Sequence, residues 1–394
     1  MIALSALSWM LVAPVGAALW VLLVEVTLGV VPSRRRPDEN KQGARLRTAI
    51  LMPAHNEARG IPAIISALAP ALNDDMRLLV VADNCSDDTA AVARGLGADV
   101  VERQDTDRRG KGYALAYGRD ALAGDPPECV IVLDADCEVE DDALTQLAQA
   151  AVEYGVPVQS CYLMRPQPDG AAMVQISNFA FLVKNLVRQR GAARLGAPAV
   201  LGGTGMAFPW TIFSTAPLAS GDLVEDLALG IEMTRKGHTP RFLEHARTWS
   251  RAASGEDTLE QRTRWEHGFI DTARRTAIPL LGEAVRTGSP RRLWLALNLC
   301  VPPLALLMMV AVGVWGVAAI LWLLGASEIP LITLSLLLGA SGLALVAAWA
   351  VNGRQMLRGA MLLRIPLYIA WKLPVYLKLV RAPETQWKRT GRGD

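Results

Sequence analysis

Asp134 and Asp136 stand two positions apart where the apolar run of CVIVLDADCEVEDD (residues 129–142) ends. Two carboxylates spaced i, i+2 at the end of a strand point the same way. With nothing between them they repel, and one has to hold a proton. A divalent cation removes that difficulty. Mg²⁺ and Mn²⁺ take oxygen ligands and commonly bridge to phosphate groups. Asp134 and Asp136 are therefore candidate metal ligands.

From residue 44 to about 290 the pattern alternates. RTAILMPAHN (47–56), RLLVVADN (77–84), DVVERQ (99–104) and CVIVLDADC (129–137) read as strands, separated by helical stretches such as GKGYALAYGRDALAG (110–124). Continuous Val/Ile/Leu strands alternating with amphipathic helices predict an α/β domain with a mostly parallel, Rossmann-like sheet covered on both faces. In such sheets ligands bind at the carboxyl ends of the strands. Asn56 and Glu57 follow the first strand, Asp83 ends the second, and Asp134 and Asp136 end the fourth. A single such residue is ordinarily a helix cap, and Ser86 or Asp87 needs no other role. Five polar groups on one sheet edge read as a site.

Other classes are excluded on composition and motif. A net charge of +2 gives no basic field for nucleic acid. The five cysteines form no CxxC and the four histidines no HExxH, which leaves no disulfide framework or zinc site. There is no GxxxxGK[ST] loop, and no GxGxxG follows the first strand, so neither a P-loop enzyme nor a nicotinamide enzyme is supported.

Hydrophobic residues make up 52 % of the chain, unevenly placed. Residues 2–31 are almost wholly apolar apart from Glu25, and SRRRP follows directly. The positive charge lies after the apolar run, which opposes a signal peptide and predicts a first transmembrane helix (1–31) with its amino terminus outside and the arginines in the cytoplasm. Glu25 reads as an interfacial carboxylate within reach of Arg34, Arg35 and Arg36. Residues 291–351 read as an interfacial segment followed by two further spans, near 304–324 and 331–351. Residues 355–381 carry Arg364, Lys372 and Lys378 among apolar positions and read as an amphipathic helix in the headgroup layer, its basic side chains snorkelling outward. Three spans, a cytosolic domain and a basic cytosolic tail (382–394) in a bacterial-type inner membrane result.

At this point the chain resembles the membrane-bound family 2 glycosyltransferases, the group of the cellulose, chitin and hyaluronan synthases. The resemblance rests on six motifs in order: PAHNE (53–57), DNCSDDT (from Asp83), GKGYAL (110–115), DAD (134–136), VED (224–226) and QRTRW (261–265, matching QxxRW). It implies a GT-A type nucleotide-diphospho-sugar transferase domain flanked by transmembrane helices. It further implies that Pro53, His55, Asn56, Glu57, Asp83 and Lys111 contact the nucleotide of a UDP-sugar. Asp134 and Asp136 hold Mg²⁺ or Mn²⁺ on the diphosphate, Asp226 is the general base toward the acceptor hydroxyl, and Glu225 orients that acceptor. Gln261, Arg264 and Trp265 share one helix face by their i, i+3, i+4 spacing. The resemblance sets Gln261 and Arg264 toward the diphosphate and Trp265 on an acceptor ring. LGGTGMAF (201–208), with Gly203 and Thr204, puts three glycines in one turn, which reads either as a close backbone approach to a substrate or as a structural turn. A gating segment is implied for Trp387, Thr390 and Arg392 in the tail, against the default reading of a disordered terminus.

The function so implied is inverting sugar transfer to a glycan or lipid-linked acceptor in exopolysaccharide or cell-surface polysaccharide synthesis, with addition of one or a few sugars to a membrane lipid as the alternative. Expected partners are the donor, the acceptor, membrane lipids, and a second copy or secretion partner where a channel must be completed. A transporter subunit and an inactive nucleotide-sugar sensor are the readings from other classes. UDP release with Mn²⁺ separates them.

Overall fold

The computed structural model describes residues 1–33, 45–140, 142–250 and 255–381. By its internal packing the chain forms two units. One gathers the described residues of Ser33–Arg165 and Pro198–Asp257; the other gathers Met1–Pro32, Pro166–Ala197 and the described residues from Thr258 to Arg381.

The first unit is built on an eight-stranded sheet. Its strands are β1 (Thr48–Ala54), β2 (Met76–Asp83), β3 (Asp99–Arg103), β4 (Cys129–Val132), β5 (Cys137–Val139), β6 (Val158–Met164), β7 (Met206–Pro209) and β8 (Arg241–Ser250). They run in the order β3-β2-β1-β4-β7-β6-β8-β5. The block β3-β2-β1-β4 is parallel, as the alternation of strand and helix predicts. β7 runs antiparallel to β4 and β6, and β5 antiparallel to β8, while β6 and β8 pair in parallel. The sheet is therefore mixed. Past β4 the regular helical crossovers that enforce parallel pairing cease, and strands can return beside their neighbours in either sense.

Leu51, Val81, Val132 and Phe208 from four adjacent strands pack with Leu115 and Phe213 into one buried core. Pro53 sits in the central strand β1 without cost. β4 pairs only with Thr48–Leu51 of β1, so the missing Pro53 N–H lies beyond that ladder.

In the second unit, four segments among the described residues are long and apolar enough to cross a membrane: Ile2–Gly29, Leu304–Leu323, Ile329–Gly353 and Gly359–Leu379. The first, of 28 residues, is about 42 Å long at helical rise. The last meets the criterion of length and composition although the sequence reads it as interfacial. It is not one helix: a 3₁₀ turn (Gly359–Arg364) is followed by the helices Ile365–Trp371 and Leu373–Arg381. Pro366 and Pro374 stand at the starts of those helices, where proline is tolerated. Leu363, Leu367, Leu373 and Leu377 are exposed along it, as are Arg364 and Lys378. Lys372 departs from the snorkelling expectation. It is 0 % exposed, and its Nζ stands 2.9 Å from Glu266 Oε1. A partner carboxylate inside the unit replaces the water that a snorkelling ammonium would seek.

Glu25, expected as a carboxylate open to the interface, is enclosed. It is 0 % exposed and accepts hydrogen bonds from Arg188 Nε at 2.6 Å and Asn298 Nδ2 at 2.7 Å. Arg34, Arg35 and Arg36, its expected partners, lie outside the described residues. Close approach makes the Arg188 contact possible: a Cβ on Gly29 would fall 1.8 Å from Val187 O, and one on Gly191 would fall 1.9 Å from Glu25 O. The last carbonyls of the first helix are also met by side chains. Gly29 O accepts from Arg190, Val30 O from Asn352 and Val31 O from Arg194, at 2.6, 2.8 and 2.6 Å.

Candidate active site

Two groups of predicted residues lie on the carboxyl edge of the parallel block. Asp83, the last residue of β2, is paired in register with Arg103, the last of β3. Arg103 Nη1 donates to Asp83 Oδ1 at 2.6 Å, and Asn84 Nδ2 donates to the same oxygen at 3.0 Å. The guanidinium is itself fixed by Asp105 Oδ2 (3.0 Å) and Arg108 O (2.7 Å), and lies 5.6 Å over the Tyr113 ring. His55 Nδ1 stands 2.7 Å from Asp83 O. Asn56 takes a left-handed backbone, φ 55°, and its Oδ1 accepts from Ser86 N–H at 2.7 Å. Glu57 N–H donates to Thr89 Oγ1 at 2.8 Å. Pro53, His55, Asn56, Glu57 and Asp83 are thus brought together where β1 and β2 end. Asp87, one residue before the helix N-cap Asp88, accepts from Thr89 N–H at 3.1 Å and from Ala58 N–H at 3.1 Å.

The second group lies past β4. Asp134 O accepts from Cys137 N–H at 3.0 Å, so residues 134–137 form a tight turn between β4 and β5. The two carboxylates therefore converge through a turn, rather than as alternate residues of a continuing strand. One oxygen of Asp134, one of Asp136 and the Cys137 Sγ lie within 4.8 Å of one another. Burial pushes the Cys137 thiol well above its usual range, and the two aspartates add to that. It stays a thiol, and the hard oxygen donors are the ones that fit Mg²⁺ or Mn²⁺.

Lys111, at the start of the helix Lys111–Leu122, forms a salt bridge with Asp134 and donates from Nζ to Gly203 O at 2.7 Å. Asp134 N–H in turn donates to Thr204 Oγ1 at 3.1 Å. Gly203 has φ +84°, and a Cβ there would stand 3.1 Å from Asp226 Oδ2 and 3.3 Å from Lys111 Nζ. Glu225 and Asp226 form the first turn of the helix Glu225–Arg235, where the exposed N–H groups favour negative charge. Asp226 Oδ1 accepts from Leu227 N–H at 2.8 Å. Burial pushes the Glu225 carboxyl up, repulsion from Asp226 adds to it and Lys111 opposes it, leaving the group at about 8. Burial alone would lower the Lys111 ammonium, but Asp134, Glu225 and Asp226 more than reverse this and hold it above the ordinary lysine range. Lys111, Asp134, Asp136, Gly203, Thr204, Glu225 and Asp226 thus make one compact charged cluster.

Gln261, Arg264 and Trp265 belong to the other unit, on the long helix Gly255–Thr287. There Trp265 stacks on Phe181, with centroids 5.9 Å apart and planes 30° apart. The Arg262 guanidinium lies 5.0 Å from the Trp265 ring and 4.4 Å from Phe181. Trp387, Thr390 and Arg392 lie outside the described residues. Arg103 is a side chain of the first group that the sequence alone did not point to. Its signal is an arginine closing a short apolar strand beside a strand closed by aspartate.

Comparison with known proteins gives the family and the fold. Residues 45–268, more than half of the chain, match the Glycosyltransferase like family 2. The chain belongs to that family. An uncharacterized glycosyltransferase of Mycobacterium tuberculosis and one of Mycobacterium bovis are each 39 % identical over 98 residues, which is 25 % of this chain and 40 % of theirs. The chain thus matches well under half the length of these curated relatives. A mannosyltransferase from Pyrobaculum calidifontis, solved with GDP-mannose and Mn²⁺, superposes with a TM-score of 0.57 at 19 % identity, covering 94 % of this chain and 99 % of that one. A glucosyl-3-phosphoglycerate synthase from Mycobacterium tuberculosis, solved with Mn²⁺ and UDP, covers 62 % of this chain and 86 % of its own at a TM-score of 0.44 and 21 % identity. The fold is GT-A-like: a mixed sheet, joined to several helices that are long and apolar enough to span a membrane.

Proposed function

We propose that this protein is an inverting, metal-dependent membrane glycosyltransferase that moves a sugar from a UDP-sugar to a glycan or lipid-linked acceptor. The observation that carries the reading is the single cluster in which Lys111, Asp134, Gly203 and Asp226 meet. Asp134 and Asp136 would hold Mg²⁺ or Mn²⁺, which when bound neutralises the diphosphate of the donor. Lys111, already cationic beside Asp134, supplies further positive charge to the departing nucleotide. Asp226 takes the proton of the acceptor hydroxyl, which attacks the anomeric carbon from the opposite face. Glu225, retaining its proton at neutral pH, donates a hydrogen bond to the acceptor. Asp83, braced by Arg103, meets the base or ribose.

The apolar helices Ile2–Gly29, Leu304–Leu323 and Ile329–Gly353 cross a bacterial-type inner membrane, with the amino terminus outside and the sheet domain in the cytosol. The broken segment Gly359–Leu379 lies in the headgroup layer, its Leu363, Leu367, Leu373 and Leu377 in lipid and Arg364 and Lys378 at phosphates. A polysaccharide pathway is the reading favoured by the complete motif set. Three spans leave little room for a polymer channel in one chain, and this keeps transfer to a membrane lipid as the second reading.

The test is UDP or GDP release by detergent-purified protein with Mn²⁺ over a panel of UDP-sugars and GDP-mannose, with and without oligosaccharide and lipid acceptors. The Pyrobaculum relative's GDP-mannose sets the width of that panel. Release that depends on Mn²⁺ and on one donor supports the proposal. No release with any donor returns the protein to the sensor or transporter readings.

A further inference from the structure

The loop that joins Lys111 to Asp134 rests on a buried amide. Gln159, on β6, is 2 % exposed. Its Oε1 accepts from Gly202 N–H at 2.8 Å, and its Nε2 donates to Thr204 O at 3.0 Å and to Ser160 O at 3.1 Å. The two loop contacts flank Gly203. On the far side of the same three residues, Gly203 O receives Lys111 Nζ at 2.7 Å and Thr204 Oγ1 receives Asp134 N–H at 3.1 Å. The next residue of β6 continues the attachment, with Ser160 N–H donating to Gly205 O at 2.9 Å. β6 therefore fixes one face of residues 202–205, and the other face holds the lysine and the aspartate of the charged cluster.

Each loop bond of Gln159 fixes a backbone group adjacent to an active-site contact, and Gly203 at φ +84° has no side chain that could anchor it. We propose that Gln159 is a positioning residue. By holding Gly202 and Thr204, it sets the heights of Gly203 O and Thr204 Oγ1, and through them the placement of Lys111 and the Asp134 carboxylate. The inference rests on the reading of Asp134 and Asp136 as the metal-holding pair. Support of this kind behind a metal ligand ordinarily governs affinity for the ion about as strongly as it governs turnover.

The test is Mn²⁺ binding to the full-length protein in detergent with saturating UDP, followed by the free-ion electron paramagnetic resonance signal. Wild type is compared with Gln159→Met, Gln159→Glu, Thr204→Val, Thr204→Ser and the double variant Gln159→Met/Thr204→Val. Asp136→Asn is the control for the site itself. Gln159→Met keeps the volume and loses all three hydrogen bonds. Gln159→Glu keeps an acceptor for Gly202 N–H and loses the donation to Thr204 O. Both are expected to weaken Mn²⁺ binding about 10-fold or more. Thr204→Val is expected to do the same, and Thr204→Ser to stay near wild type. Because Gln159 acts through Thr204, the double variant should fall within about twofold of the weaker single variant. Wild-type affinity in Gln159→Met, or losses that multiply in the double variant, overturns the inference while leaving the metal site standing. A failure of the wild type to bind Mn²⁺, or of Asp136→Asn to abolish binding, overturns the metal reading and the inference with it. Failure of both Gln159 variants to give folded protein assigns Gln159 to the general core and overturns its positioning role.

Discussion

Arg103 holds Asp83 across two adjacent strand ends, with Nη1 2.6 Å from Oδ1 and both residues nearly closed to solvent. Removing Arg103 leaves the buried Asp83 carboxylate without its cation, which typically costs about 3–5 kcal/mol, whereas removing Asp83 leaves Arg103 still paired with Asp105 at 3.0 Å. Arg103→Leu is therefore expected to lower the melting temperature and weaken UDP binding together. Arg103→Leu/Asp83→Asn is expected to recover most of the stability and none of the nucleotide affinity. Calorimetric titration with UDP beside a thermal melt separates the two effects. A double variant that binds UDP normally would remove Asp83 from the nucleotide site.

The two aspartates of the turn differ in their surroundings, and their variants should differ accordingly. Asp134 is paired with Lys111, whereas Asp136 is approached by the Cys137 thiol at 3.5 Å. Asp136→Asn is expected to abolish Mn²⁺-dependent turnover and leave the metal-free melting temperature within a few degrees of wild type. Asp134→Asn should lose turnover too, and also release Lys111 among fewer carboxylates, with a larger change in stability. Near-normal turnover with Mn²⁺ in either variant would contradict the metal assignment.

Glu225 gives the site a pH dependence whose sign follows from burial. Its carboxyl is raised from an ordinary 4.5 to about 8, so the folded protein binds the proton more tightly than the unfolded chain. Its contribution to stability is complete below about 4.5 and is lost as pH rises through about 8. In EDTA, wild-type protein is expected to melt progressively lower from pH 5 to about pH 8.5, beyond the slope shown by Glu225→Gln, which mimics the protonated form at every pH. Parallel slopes for the two proteins would place the proton elsewhere.

The site in the sheet unit was the more legible part of this chain. Strand-helix alternation located Asp83, Asn56 and Asp134 at one edge because continuous apolar strands leave few other topologies. The geometry between those residues was less accessible. Asp134 and Asp136 meet through a four-residue turn, which i, i+2 spacing does not distinguish from a strand. The partners of Glu25 were hidden for a different reason. Arg188 and Asn298 lie far along the chain, and only close helix packing at Gly29 and Gly191 brings Arg188 within 2.6 Å. Arg103 escaped notice because register between neighbouring strands, not sequence spacing, sets its partner.

Lys372 and Glu266 carry the last prediction. Basic residues along an apolar stretch ordinarily argue for a helix lying in the interface, because each head group can reach water. Lys372 does not: it is fully enclosed, 2.9 Å from Glu266 Oε1, on the helix that also bears Gln261, Arg264 and Trp265. His267 Nε2 lies 3.0 Å from Val375 O, a second tie between the same two segments. The terminal segment is thus fastened to that helix by a buried ion pair. Glu266→Gln is expected to destabilise the protein by about 3–5 kcal/mol, because it leaves the enclosed Lys372 ammonium without its carboxylate, and Lys372→Met by less, because the Glu266 side chain is 17 % exposed and has Tyr376 beside it. Lys372→Met/Glu266→Gln is expected to regain most of that loss, since two neutral side chains of similar size need no compensation. Thermal melts in one detergent, with all four proteins measured side by side, give the coupling directly. Additive losses in the double variant would mean that Lys372 finds its stabilisation in lipid or water rather than in Glu266.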